Sequence, residues 1–162
     1  MSAQTVYSFS TPIGQAGGIY DLAPYAVDAF CNEADDGVVK FGMGVVQGTN
    51  VGKGVKAPAS GATAATFEGI VTNRRTSENA LLGGVELRKG CTLGVMRWGN
   101  IYGLLAEGAA PAYGDAVYLV VSGDAAGCFT NVSTSNVAIK GVFRGTASDG
   151  IALIHLFDQA QA

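Results

Sequence analysis

The sequence predicts an all-β domain, a jelly-roll-like sandwich or β-barrel, with an extended N-terminal arm. Three observations lead there. The 162 residues include 24 glycines, a load that helix interiors would not carry, since each interior Gly costs about 0.5–1 kcal/mol relative to Ala. The apolar residues fall in short Val-rich runs broken by Gly, Asp and Asn, at spacings of roughly 8–12 residues, the rhythm of sandwiches and barrels. Only residues 23–34 could support a helix, a short and weakly patterned one. The length suits one domain with its own core.

Residues 1–30 read as the arm and residues 31–162 as the β core. The arm carries Tyr7, Phe9, Tyr20, Tyr25 and Phe30 in loose spacing, is interrupted by Pro12, Gly17, Gly18 and Pro24, and contains no lysine or arginine. It has too little alternation for a strand pair and too many apolar groups for a solvated tail. It is expected to pack either on its own domain or on a neighbouring subunit.

Asp35-Asp36-Gly37 is a hairpin-type signal, and residues 38–41 are expected to follow it as a strand. Residues 43–47 form a short apolar strand, residues 48–54 a turn-rich loop and residues 58–65 another loop. Residues 66–72 alternate as a strand should; residues 73–79 are polar and exposed. Residues 93–105 are the clearest β stretch. On a regular strand Val95, Arg97 and Ile101 point one way, and Met96, Trp98, Tyr102 and Leu104 the other. Gly99 and Gly103 mark a bulge or a close backbone approach. Strands at residues 116–121, 137–144 and 151–157 complete the domain, with turns at Gly123-Asp124 and Ser148-Asp149-Gly150. The closing strand is apolar on both faces, which puts it in the middle of a sheet or under cover on both sides.

Charged residues make up 14% of the chain, against about 25% in a typical soluble domain. So bland a surface suits one that partners cover. The net charge is −3, and Arg74–Arg75 and Arg88–Lys89 are the only neighbouring basic pairs. Phosphate backbones need a basic stripe, so nucleic acid is not an expected partner. No apolar run approaches the roughly 20 residues of a membrane helix, and the start lacks the basic-then-apolar pattern of a signal peptide. Cys31, Cys91 and Cys128 are odd in number and lack C-x-x-C spacing, as expected of free thiols in a reducing cytoplasm.

The residues that could carry chemistry do not assemble into a motif. His155 alternates with Leu153 and Phe157 and reads as a strand histidine. The thiols read as small hydrophobes or inert surface groups. Residues 48–54 echo a phosphate loop but have three residues between the glycines, no Ser or Thr after Lys53 and no following helix. Asp35, Asp36 and Asp115 are explained as turn residues, because calcium would need about six to eight oxygens. Trp98 and Tyr102 could make a sugar-stacking platform, yet paired aromatics on one strand face are usually core. No catalytic residue, cofactor or metal site is expected.

Four stretches, in order, carry a family resemblance. The first is Pro12-Ile13-Gly14-Gln15-Ala16-Gly17-Gly18, followed by an acidic region and Phe41-Gly42-Met43-Gly44-Val45-Val46. The second is Phe67-Glu68-Gly69-Ile70-Val71, and the third is Val95-Met96-Arg97-Trp98-Gly99-Asn100-Ile101-Tyr102. The fourth is Gly114-Asp115-Ala116-Val117-Tyr118, with Gly127-Cys128-Phe129-Thr130 and the closing run from Ala147 to Leu156. Together they resemble the phage capsid structural cement, or decoration, proteins. The resemblance implies a β-rich protein made in the bacterial host cytoplasm and placed on the capsid exterior. Its partners would be the major capsid protein and further copies of itself, a homodimer in preference to a homotrimer. Tyr7, Phe9, Tyr20, Tyr25 and Phe30 are then the candidate interface anchors, since aromatics concentrate at binding hot spots. Other readings are a tail-tube or head–tail connector subunit and, further off, a carbohydrate-binding module.

Overall fold

The computed structural model describes residues 14–73, 78–79, 85–145 and 147–158. Its strands are β1 (Ala26–Asn32), β2 (Gly44–Gln47), β3 (Gly54–Lys56), β4 (Phe67–Val71), β5 (Glu78–Asn79), β6 (Val85–Glu86), β7 (Thr92–Leu104), β8 (Ala116–Leu119), β9 (Phe129–Thr130), β10 (Val137–Phe143) and β11 (Ile151–Leu156). A single 3-10 turn at Ala64–Thr66 is the only helical element among the described residues.

Strands β1, β3, β2, β4 and β7 follow one another in that order, and β7 pairs back to β1, closing a five-stranded barrel. The β1–β3 pair is parallel and the others are antiparallel. Val45, Val55, Val71 and Val95, one from each of β2, β3, β4 and β7, fill the barrel at 0% exposure. A barrel this small has a narrow lumen, and short β-branched side chains fill it without strain. Phe30, Val39, Leu87 and Leu93 complete this core.

At 13 residues, β7 is long enough to serve two layers. Its second half pairs with β11, and the sheet continues through β10 and β8 to β9. A bridge from Leu105 to Phe129 brings β9 back beside the end of β7. The inner face of this second sheet, with Ile101, Leu119, Phe129, Phe143 and Ile154, packs on Val46, Phe67, Ile70 and Met96 of the barrel strands. Val45 and Val46 thus point into different cores, as successive strand residues must.

The barrel is one of the two expected architectures, and the turn at Ser148–Gly150 is as expected. Ser148 and Ile151 exchange both backbone hydrogen bonds at 3.0 Å, while Asp149 (φ 52°) and Gly150 (φ 73°) take the left-handed conformations of a two-residue hairpin. The closing strand does lie centrally, between β7 and β10.

Other expectations are corrected. Residues 26–32 are strand, not helix: pairing with β7 on one side and β3 on the other outweighs the weak helical preference of its Ala residues. The boundary at residue 30 therefore falls inside β1. Residues 38–41 form turns, with Val38 N–H bonded to Asp35 C=O, and Val39 enters the barrel core. Strand β3 begins at Gly54, the last residue assigned to a loop. Met96 and Ile101 share one core instead of facing apart, because β7 carries an extra residue at Arg97, where Ala26 and Val27 face Trp98 and Met96. Of the polar stretch 73–79, residues 74–77 lie outside the described residues.

Gly99 and Gly103 are positions of close approach. A Cβ on Gly99 (φ 127°) would stand 2.6 Å from the Tyr25 Cβ, and one on Gly103 would stand 2.5 Å from the Ile154 Cδ1. Glycine lets the arm close over β7 at the first and the inner layer close up at the second.

Candidate functional site

The outer face of the second sheet carries two half-exposed aromatics, Tyr20 and Phe157. In an antiparallel pair, directly opposed residues share a face. Leu153 stands opposite Tyr102, and His155 stands opposite both Asn100 on β7 and Val142 on β10. Residues preceding β1 extend the same surface. Gly17 N–H and Tyr102 N–H bond to Tyr102 C=O and Gly18 C=O, and Tyr20 N–H reaches Asn100 C=O at 3.0 Å. The described part of the arm thus lies along β7 of its own domain.

This register sets the Tyr20 ring edge-on to Tyr102, with centroids 5.9 Å apart at 68°. Tyr20 is still 46% exposed, Leu22 96%, Tyr25 39% and Phe157 46%. His155 meets Phe157 edge-on at 5.2 Å. Among these aromatics runs a polar chain: His155 Nδ1 lies 2.6 Å from Asn100 Oδ1, and Asn100 Nδ2 donates to Asp21 Oδ2 at 2.9 Å. An ionised carboxylate only accepts, so the amide nitrogen must face Asp21 and the amide oxygen must face the imidazole. Nδ1 therefore carries the proton. Burial and then the nearby Arg144 hold the His155 pKa below the ordinary histidine range, with Asp21 pulling the other way.

Of the candidate anchors, Tyr20 lies on this face; Tyr25, 39% exposed, packs against Gly99, which stands opposite the core residue Leu156, and so approaches the other face of β7. Phe30 is not on this face: it is 5% exposed and packs inside the barrel of its own chain, because it sits at an inward position of β1. Tyr7 and Phe9 lie outside the described residues. Sequence reasoning missed Asp21, Leu22, Asn100 and Phe157. The one signal for them was the closing strand's apolar character on both faces, of which only one is needed for the core.

Among the described residues no group of three or more His, Cys, Asp or Glu side chains is placed to hold a metal ion. The three cysteines form no disulfide with one another, and burial pushes the Cys128 thiol up, away from the reactive thiolate. A cavity of about 410 Å³ is lined by Ala16, Val39, Phe41, Leu87 and Leu104, with Lys40 and Glu86 as its ionisable groups. No described helix is long and apolar enough to cross a membrane.

A closed barrel, a second sheet wrapped on it and an aromatic outer face define a β-structural module whose working part is a surface. The family model described as structural cement protein (E217 gp24/Pam3 gp6) matches residues 3–157, and the chain belongs to that family, whose members are structural proteins of phage capsids. A chain in the solved structure of the capsid of Myoviridae phage XM1 superposes with a TM-score of 0.70 at 22% identity, covering 96% of this chain and 98% of that one. No curated protein sequence matches this chain. Its role is therefore capsid cementing, and its place is the virion capsid.

Proposed function

We propose that the chain binds the outer surface of an assembled major capsid protein lattice of a tailed phage and bridges neighbouring capsomers through the outer face of the second sheet. The observation that carries this reading is the pair of half-exposed aromatics, Tyr20 and Phe157, that flank Tyr102 and His155 on one face, with the exposed Leu22 and Tyr25 on the segment that leads from it into β1. Interface cores favour aromatics and shun charge, and the chain's low charge fits that preference. Each added contact raises the cost of separating capsomers, and many copies multiply the effect. Tyr20 and Tyr25 are the anchors, with Tyr7 and Phe9 of the arm added to them. The chain acts as a homodimer in preference to a homotrimer, which lets one unit reach two capsomers. The reading asks for no catalysis, cofactor, nucleic acid or membrane.

Co-sedimentation with expanded, undecorated capsids tests it, with unexpanded procapsids as the comparison. Saturable binding to expanded shells at a fixed copy ratio is the expected result. No binding, with self-assembly into rings or tubes, would replace it with a tail or connector role. An arm deletion should stop at residue 13. Removing residues 1–30 would take Ala26–Phe30 from β1 and with them a core side chain.

A further inference from the structure

We infer that His155 makes docking through this face sensitive to protonation, the neutral imidazole being the form that binds. The inference rests on the docking reading above and concerns the regulation of that same face.

The hydrogen bonds dictate the chemistry. With Nδ1–H committed to Asn100 Oδ1, Nε2 is where a second proton must go. The groups around the ring can be named element by element. The segment before β1 supplies Asp21 and the Tyr20 phenol. Strand β7 supplies Asn100 and the Tyr102 phenol. Strand β10 supplies Lys140, and the residue that follows the strand is Arg144; the two lie on either side of Val142, which stands directly opposite His155. The ring's own strand leads on to Phe157, which meets it edge-on, and to Asp158.

A partner that covers Tyr20 and Phe157 also covers the imidazole among them. Covering a neutral ring costs little. Covering an imidazolium removes water from a cation that has Lys140 on the adjoining strand and Arg144 just past its end, while the Asp21 carboxylate reaches it only through a neutral amide. The bound state therefore prefers the neutral form, and binding expels the proton wherever the free protein holds it. Affinity then falls by up to about tenfold per pH unit below the titration of the free histidine, and is level above it.

His155 is the chain's only histidine, which makes the test clean. Binding to expanded capsids is measured from about pH 5.5 to 8 at constant ionic strength for the native protein, for His155→Asn, which keeps an amide N–H in place of Nδ1–H, and for His155→Gln as a second non-titrating variant. Thermal melts verify that each is folded. The expected result is a native affinity that declines, relative to both variants, as pH falls through the titration of the free imidazole, with matched affinities at pH 8. Equal slopes for native protein and variants would overturn the inference, assigning the pH dependence to the lattice. A native protein that fails to bind at pH 8, or a Tyr20→Ser/Tyr25→Ser variant that binds as well as native, would instead overturn the docking reading itself. NMR titration of the single imidazole in the free protein then locates its pKa independently; a native affinity that fell at a pH unrelated to that titration would overturn the inference.

Discussion

Arg97 occupies the bulge of β7 and ties the strands on either side of it. Its Nη1 bonds to Glu68 on β4 at 2.8 Å, and its Nε lies 3.8 Å from Asp28 on β1. The Glu68 side chain is 12% exposed and that of Arg97 is 25%, so this contact escapes much of the screening that weakens surface pairs. Replacing Arg97 with Met keeps the stem and removes the charge. The expected loss is about 1–2 kcal/mol, read as a shift of the urea midpoint at constant slope. Glu33 acts differently. The backbone N–H groups of Asn50 and Thr49 hold its carboxyl below the usual carboxylate range, and Asn50 Nδ2 donates to it as well. The folded state therefore binds its proton less readily than the unfolded state. The contribution is fully present above the unfolded value near pH 4.3 and is lost as pH falls through the lower folded value. Glu33→Gln should flatten the acid limb of a stability-versus-pH curve; a limb unchanged by the substitution would show that loop 48–54 is held by other means.

At the scale of elements, the two-residue turn between β10 and β11 was readable because Ser148-Asp149-Gly150 is a local signal. Asp149→Val puts a β-branched residue at φ 52°, where such side chains clash, and should cost about 1–2 kcal/mol; Asp149→Asn should be nearly neutral. Thermal melts of both variants make the comparison. The elements that were not readable depend on distant partners. Ala26–Asn32 has an even mix of small and polar residues, and it becomes strand only because β7 and β3 lie on its two sides. Val38 and Val39 look like a strand start, but Val39 joins the barrel core of Val55, Val71 and Val95, which are remote in the sequence. The bulge at Arg97 was equally hidden, although Gly99 announced an irregularity. The site shows the same division. Tyr20 and Tyr25 were visible as aromatics without a pattern, whereas the Asp21–Asn100–His155 chain links residues 79 and 55 positions apart and no spacing rule would join them. Gly99→Ala tests the link between element and site. The added methyl would meet the Tyr25 Cβ at 2.6 Å, so it should cost about 2 kcal/mol or more and should weaken capsid binding beyond the effect of that lost stability.

At the scale of the molecule, closure decides how assembly proceeds. Each barrel strand has two partners, and the second sheet returns to Leu105 through β9. Among the described residues these layers leave no long strand edge for another chain to extend, which favours the proposed docking through side chains on a face. The face is mostly aromatic, with Lys140, Arg144 and Asp21 around it, and this composition sets the character of the binding. Apolar burial should dominate, and Coulomb attraction should contribute little. Tyr20→Ser combined with Tyr25→Ser removes two proposed anchors, and hot-spot truncations cost at least about 2 kcal/mol each, so the affinity for expanded capsids should fall by several hundred-fold, about 700-fold if the two effects add. Both side chains are more than a third exposed, so the melting temperature should move little. Raising salt from about 0.1 to 0.5 M shortens the screening length by about half, yet it should leave the native affinity within a few-fold. If salt abolishes binding while the double variant binds normally, the charged groups make the contact, and the aromatic face is turned toward solvent in the assembled shell.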